Sequence, residues 1–470
     1  MKNKLTRRQA IGSLAMACGG AVALDAFAAT PGKGYRLATF SADVTPPLGH
    51  PLMAGGIAPA QNVVDRLFAN GLVFLGTGQP LVLVSIDWCE IRNDAYDRWR
   101  ELLAEAAGTT PERVLVTSTH VHDAPIADLE AERILIQHQA TGSICNLEFH
   151  EQAVRRVAAA LRENLGKAQR ITHVGIGQAK VSQVASNRRY VKADGKPAFD
   201  RGSTTRDAAL RELPEGTIDP WLKTLSFWDG DRAVAALSCY ATHPMSSYGK
   251  GGVSDDFVGL ARRRRQADDP KAFQIYVSGC SGNVTAGKFN DGSPENRVVL
   301  AERIYLAMSA AWKATQRQPI KTFDFRVVPL RLEPRNAPGL TVEDLTKRLK
   351  RQTPTPDPRP FGQCLAALGL SWRKRADAGG KIDLPVLDFG FAQLLLLPGE
   401  SYVEFQLLAQ QLRPDSFVMV MGYGESATGY IPTEQAFAED DTNLRDWCWV
   451  APGSEAAMAA AIKQALKPVK

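Results

Sequence analysis

His120 and His122 stand one residue apart in Val114-Leu-Val-Thr-Ser-Thr-His-Val-His-Asp123, where a short apolar run ends in a polar tip. Side chains alternate faces along a strand, so residues i and i+2 point to the same side and both imidazoles can reach one cavity. One can then hold a divalent ion and the other meet a substrate. Three more donors end or follow apolar runs: His243 after 233–240, Glu400 in Leu396-Leu-Pro-Gly-Glu400, and Tyr430 ahead of Ile431-Pro432. Zinc takes nitrogen and oxygen donors, and three or four of them with one open position make a catalytic site. Each residue also has a plainer reading. The histidine pair can be a surface loop, His243 a turn before proline, Glu400 an acid at a helix N-terminus favoured by the helix dipole, and Tyr430 a packed aromatic.

The segments that carry these residues alternate between strand and helix patterns. Residues 72–75 and 80–86 read as adjacent strands, 94–107 as an amphipathic helix, and 114–118 as the strand that delivers the histidines. A helix over 148–165 follows, then strands at 224–228 and 233–240 about the turn Asp229-Gly-Asp, a helix over 295–315 and an extended run at 322–332. Beyond a helix starting near 342 and a proline-rich loop at 353–360, the pattern gives a helix at 361–376, two strands in 382–397 broken at Gly390, a helix at 401–412 that starts beside Glu400, a strand at 418–422 and a last helix at 455–466. With no internal repeat and no low-complexity linker, the expectation is an α/β fold: mixed β-sheets in the interior, covered by helices, in a single integrated catalytic domain.

At the N-terminus, Arg7-Arg8 precede an apolar stretch from Ala10 to Leu24 and the exit Ala26-Phe27-Ala28. This is the pattern of a twin-arginine signal peptide over 1–28, leaving 29–470 as the catalytic domain, periplasmic or secreted, with the twin-arginine export machinery as a partner. The stretch is below the roughly 20 apolar residues of a membrane span. No transmembrane segment is expected, and transient contact with a membrane surface is compatible with this reading. Removing 1–28 lowers the formal charge from +6 to +3, which gives no ground for nucleic-acid binding. The cluster Arg262-Arg-Arg-Arg265 reads as a solvated helix face. Six of the seven cysteines lie beyond residue 28, without any Cys-x-x-Cys, so a cysteine zinc site is not expected, and free thiols and disulfides stay equally open.

Taken in order, Ser41-Ala-Asp-Val-Thr-Pro-Pro47, Asp65-Arg-Leu-Phe-Ala69, Val84-Ser-Ile-Asp87, Ser118-Thr-His-Val-His122, Asn187-Arg188, Ala241-Thr-His-Pro244, Gly279-Cys-Ser-Gly-Asn283, Leu397-Pro-Gly-Glu400 and Gly429-Tyr-Ile-Pro-Thr433 resemble the catalytic domain of the neutral, non-lysosomal ceramidase family. The resemblance implies Zn2+ held by His120, His243, Glu400 and Tyr430, catalytic roles for His122, Thr285 and Tyr430, and substrate contacts from Arg188 and Asn187. It implies hydrolysis of a ceramide-like N-acyl amide by metal-bound water, giving a fatty acid and an amine. The chain departs from the family on the substrate side. Gly282-Asn-Val-Thr285 stands where ceramidases carry Gly-Asp-Val-Ser, no tyrosine lies near Thr442, and no C-terminal sandwich module is expected. Asp43 and Asp87 are expected to fix loops or orient a histidine, and Asp123 to bond His122. The alternatives are an exported hydrolase of the same fold acting on another amide or ester, and a non-catalytic periplasmic binding protein stabilised by zinc.

Overall fold

The computed structural model describes residues 34–76, 78–350 and 361–468. The signal-peptide assignment and the loop at 353–360 lie outside the described residues. Three sheets form the interior. The first has strand order Val114–Ser118, Leu81–Ile86, Phe68–Leu75, Arg36–Asp43 and Gln169–Arg170; the second Phe273–Ser278, Arg232–Tyr240, Trp221–Asp229, His173–Lys180 and Gln316–Pro319; the third Phe417–Met421, Ala392–Leu396, Ile382–Asp388 and Asp324–Leu330.

Each sheet contains the same unit. Three antiparallel strands are followed by a crossover helix and a fourth strand that lies parallel to the third. The crossover helices are Asn93–Ala107, Asp256–Asp268 and Val403–Leu412, and each packs beside a second helix: Leu147–Leu165, Pro294–Lys313 and Ser454–Ala465 respectively. The molecule is therefore built on a threefold structural repeat that its sequence does not display. The α/β class and the integrated organisation follow the sequence reading.

The strands are apolar on both faces because both faces are covered. Inward residues Leu83, Leu115, Leu237, Ile275, Leu394 and Met419 meet in one core shared by all three sheets. Outward residues face helices. Val82 and Val84 lie with Trp99, Leu103, Val154 and Val157, and Leu395 and Val420 with Phe405, Ala409 and Ile462. Each fully buried aliphatic side chain contributes roughly 1.5–3 kcal/mol.

The three parallel fourth strands converge at their carboxyl ends. The Ser118 amide donates to the Tyr423 carbonyl (3.1 Å), the Gly422 amide to the Ser278 carbonyl (2.9 Å), and the Ser278 hydroxyl to the Thr119 carbonyl (2.7 Å). This junction places the ends of all three units around one point. Strand carboxyl ends are where open α/β sheets bind ligands.

One expectation is corrected and one open question is answered. The arginines 262–265 do not form a solvated face: Arg262 and Arg265 are buried, and Arg263 bonds Asp255 and Asp65. Of the acids that receive them, Asp65 and Asp87 come from distant parts of the chain. The six described cysteines are all free and buried.

Candidate metal centre

Every unit sends residues into the junction. The first supplies His120 and His122 just after its fourth strand, the second His243 just after its third, and the third Glu400 after its third and Tyr430 beyond its fourth. His120 holds φ +63, a left-handed conformation uncommon outside glycine, and of a kind that costs about 1–3 kcal/mol and persists where surrounding structure enforces it. Here its amide donates to the Trp88 carbonyl at 3.0 Å. Glu400 is not at a helix start, as the sequence suggests. It forms a two-residue strand whose register pairs Glu400 with Tyr430, and the helix begins at Val403. The chain approaches so closely that a Cβ on Gly282 would lie 2.1 Å from the Glu400 carbonyl, and one on Gly399, at φ +54, would lie 2.3 Å from the Thr428 hydroxyl.

The proton positions on the histidines follow from their partners. His120 Nδ1 lies 2.9 Å from the Cys89 carbonyl and His243 Nδ1 2.6 Å from the Ser281 carbonyl. A carbonyl only accepts, so each Nδ1 carries the hydrogen. In the neutral rings both Nε2 atoms are then lone pairs, and both face Glu400 Oε2, at 3.3 Å from His120 and 2.8 Å from His243. Three lone-pair donors turned on one another in a buried site repel unless a proton or a metal cation sits among them. One such set, His120, His243 and Glu400, has all its donor atoms within 4.8 Å of one another. Zinc bonds of about 2.0–2.1 Å give tetrahedral ligand–ligand edges of about 3.3 Å, close to the separations observed. The donor set thus fits a zinc-sized cation.

Burial and charge act differently on the members. Burial opposes charge on His120, but Glu400 outweighs it and raises the pKa. Burial leads at His243, with Arg188 adding to it, and brings that ring to about 4. Burial works against the Glu400 carboxylate too, yet His120 and His243 together hold it well below the usual range. His122 is pushed well below its ordinary value by burial and by the other two imidazoles. The stack of Tyr423 on His120, with ring centroids 4.1 Å apart, closes the other face of the cluster.

The remaining residues divide into two groups. His122, Tyr430 and Arg188 stand at the cluster: His122 Nε2 is 3.4 Å from His120 Nε2, the Tyr430 and His243 ring centroids are 6.5 Å apart, and Arg188 Nη1 donates to the Tyr430 hydroxyl at 2.6 Å. His122 Nδ1 and Arg188 Nε are buried without a partner. Asn187 and Thr285 are tied elsewhere. Asn187 bonds the Thr217 carbonyl and the Arg189 amide, and the Thr285 hydroxyl donates to the Gly202 carbonyl at 2.7 Å and accepts from the Gly287 amide. Asn283 bonds the Val403 amide and Glu404. Asp43 and Asp87 fix backbone at Thr45 and Phe68, as expected. Asp123 does not bond His122; it accepts from the Gly249 amide at 2.8 Å. Sequence reading passed over Tyr423 and Tyr248, which both touch the histidines. The signal for Tyr423 was its place two residues past a strand end.

No protein-family model matches this sequence, and no curated protein matches it. Among the solved structures that share its fold are two of ceramidases. The crystal structure of neutral ceramidase from Pseudomonas aeruginosa superposes with a TM-score of 0.64 at 19% identity over 93% of this chain and 75% of that one. A structure of ceramidase complexed with C2 does so with a TM-score of 0.64 at 18% identity over 92% of this chain and 74% of the other. With its three sheets, crossover helices and convergent strand ends, the chain has the neutral ceramidase fold.

Proposed function

We propose that the chain is an exported zinc-dependent amidohydrolase that cleaves an N-acyl amide of ceramide type into a fatty acid and an amine. The observation that carries this reading is the set of two carbonyl-locked imidazoles whose free nitrogens face one buried carboxylate. The fold shared with ceramidase structures supports the reaction class. The paired arginines and Ala-x-Ala exit of residues 1–28 support a periplasmic or secreted location.

His120, His243 and Glu400 would hold the ion, with Tyr430 as a fourth donor beside Glu400. Zinc bound there supplies a polarised carbonyl and a water acidic enough to react near neutral pH. His122 is neutral and keeps one nitrogen free, so it can take a proton from the attacking water and return it to the leaving nitrogen. The products are then a carboxylate and an ammonium. Arg188 holds the Tyr430 hydroxyl and keeps an unused N–H for the substrate's polar atoms. Asn187 and Thr285 act in this scheme by fixing backbone.

One observation favours a substrate other than ceramide itself. The side chains of Asn283 and Thr285, at the positions where ceramidases present an acid and a serine, are both committed to internal bonds. The test is hydrolysis of a panel of N-acyl amides, including ceramide, by zinc-loaded protein with and without chelator. Amide cleavage lost on chelation and restored by zinc is expected; failure of the zinc-loaded protein to cleave any N-acyl amide overturns the proposal.

A further inference from the structure

The loop 244–251 runs past His122 and is held from several sides. Ser246 bonds Asp256 through its amide (2.9 Å) and its hydroxyl, the Gly249 amide donates to Asp123 (2.8 Å), and the Gly251 carbonyl accepts from the Gln61 amide (2.8 Å). Such anchoring gives the loop one conformation, and with it one position for Tyr248. The Tyr248 ring stands edge-on to His122, with centroids 5.0 Å apart and planes at 70°. It is half-buried, packed on the core through its ring. Its hydroxyl makes no hydrogen bond among the described residues and is not buried, so a ligand can reach it. Beside it, His122 Nδ1 is buried and has no partner.

Two free polar atoms on adjacent rings, next to a metal-binding cluster, are a ready contact for substrate. We propose that Tyr248 is a specificity-determining residue whose hydroxyl hydrogen-bonds a polar group on the amine half of the substrate. This rests on the amidohydrolase reading. There the cluster takes the carbonyl, His122 serves the leaving nitrogen, and the group beyond that nitrogen extends along the His122 side towards Tyr248. A hydroxyl a few bonds from the amide nitrogen has the right chemistry. A site built to bond a substrate hydroxyl discriminates strongly against an analogue that lacks it.

The test compares N-dodecanoyl ethanolamine with N-dodecanoyl propylamine, which lacks the hydroxyl, on zinc-loaded wild type and Tyr248→Phe. The phenylalanine keeps the ring against His122 and removes only the oxygen. Wild type should prefer the ethanolamide by about tenfold in kcat/KM. Tyr248→Phe should lose that preference by slowing on the ethanolamide alone, with its zinc content unchanged. An unchanged preference, no preference in wild type, or an equal fall on both amides overturns the assignment of Tyr248. Cleavage of neither amide by wild type overturns the amidohydrolase reading as well, so the two failures are told apart.

Discussion

Two groups of buried histidines show what separates a site from a core. His150 packs against Trp88 and Trp99 under the first sheet, and His50 lies against Phe149 nearby with Nδ1 2.7 Å from the Pro51 carbonyl and Nε2 accepting from the Asn146 amide. Burial lowers both to about 4, and both ring nitrogens of His150 have no partner. His120 and His243 are as dry, and like His50 each has Nδ1 on a carbonyl, but their Nε2 atoms aim at one carboxylate. Burial alone gives a neutral imidazole that behaves as an aromatic filler. Backbone direction and a shared acid give a set of ligands.

The largest effect that sharpens this contrast is at the cluster. His120→Ala or His243→Ala should retain less than about 0.1 equivalent of zinc after dialysis, and amidase activity should vanish with the metal. Stoichiometric zinc in either variant breaks the comparison. His122→Ala should keep its zinc and lose about 10²–10⁴ in kcat, the usual share of a general acid or base. Zinc content and steady-state rates measured together separate the two classes of histidine.

At the core group the effect is on stability and its pH dependence. His150 is held neutral in the folded state while the unfolded chain titrates near 6.5, so the folded state binds fewer protons between these values. Its contribution is present above 6.5 and is lost as pH falls towards about 4, amounting to roughly 2 kcal/mol by pH 5. Urea unfolding of His150→Phe should show a weaker loss of stability from pH 7 to pH 5 than wild type, with activity retained at pH 7. An unchanged slope would show that this ring is not the group responsible. The smallest effect on turnover is expected at Thr285→Val. It leaves the Gly202 carbonyl without a partner and costs about 1–3 kcal/mol of stability, while kcat per folded molecule stays within about twofold. A collapse of turnover in that variant would return Thr285 to the chemistry.

What could be read from the sequence was whatever is set within a few residues. The apolar runs and their polar ends located the strands and the residues that gather at the junction, because a strand buried on both faces must stop where a polar side chain is to be presented. Glu400 was found, but its setting was not, since the partner strand that claims it begins thirty residues later at Tyr430. The same limit explains Arg262–Arg265, whose acids Asp65, Asp87 and Asp255 come together only in the fold. The threefold repeat was hidden for another reason. The connections between the first and second strands of the three units run over 44–67, 181–220 and 331–381, and such unequal insertions erase any fixed period. Gly249 and Asp123, and beside them Tyr248 and His122, meet across a loop contact that no local pattern announces.

The central claim is that His120, His243 and Glu400 hold one divalent cation, and metal analysis of the purified protein tests it most directly. The account predicts about one zinc per chain in wild type and almost none in His243→Ala, with activity following the metal. A wild-type protein that stays metal-free in excess zinc, or that is fully active without it, would contradict the account.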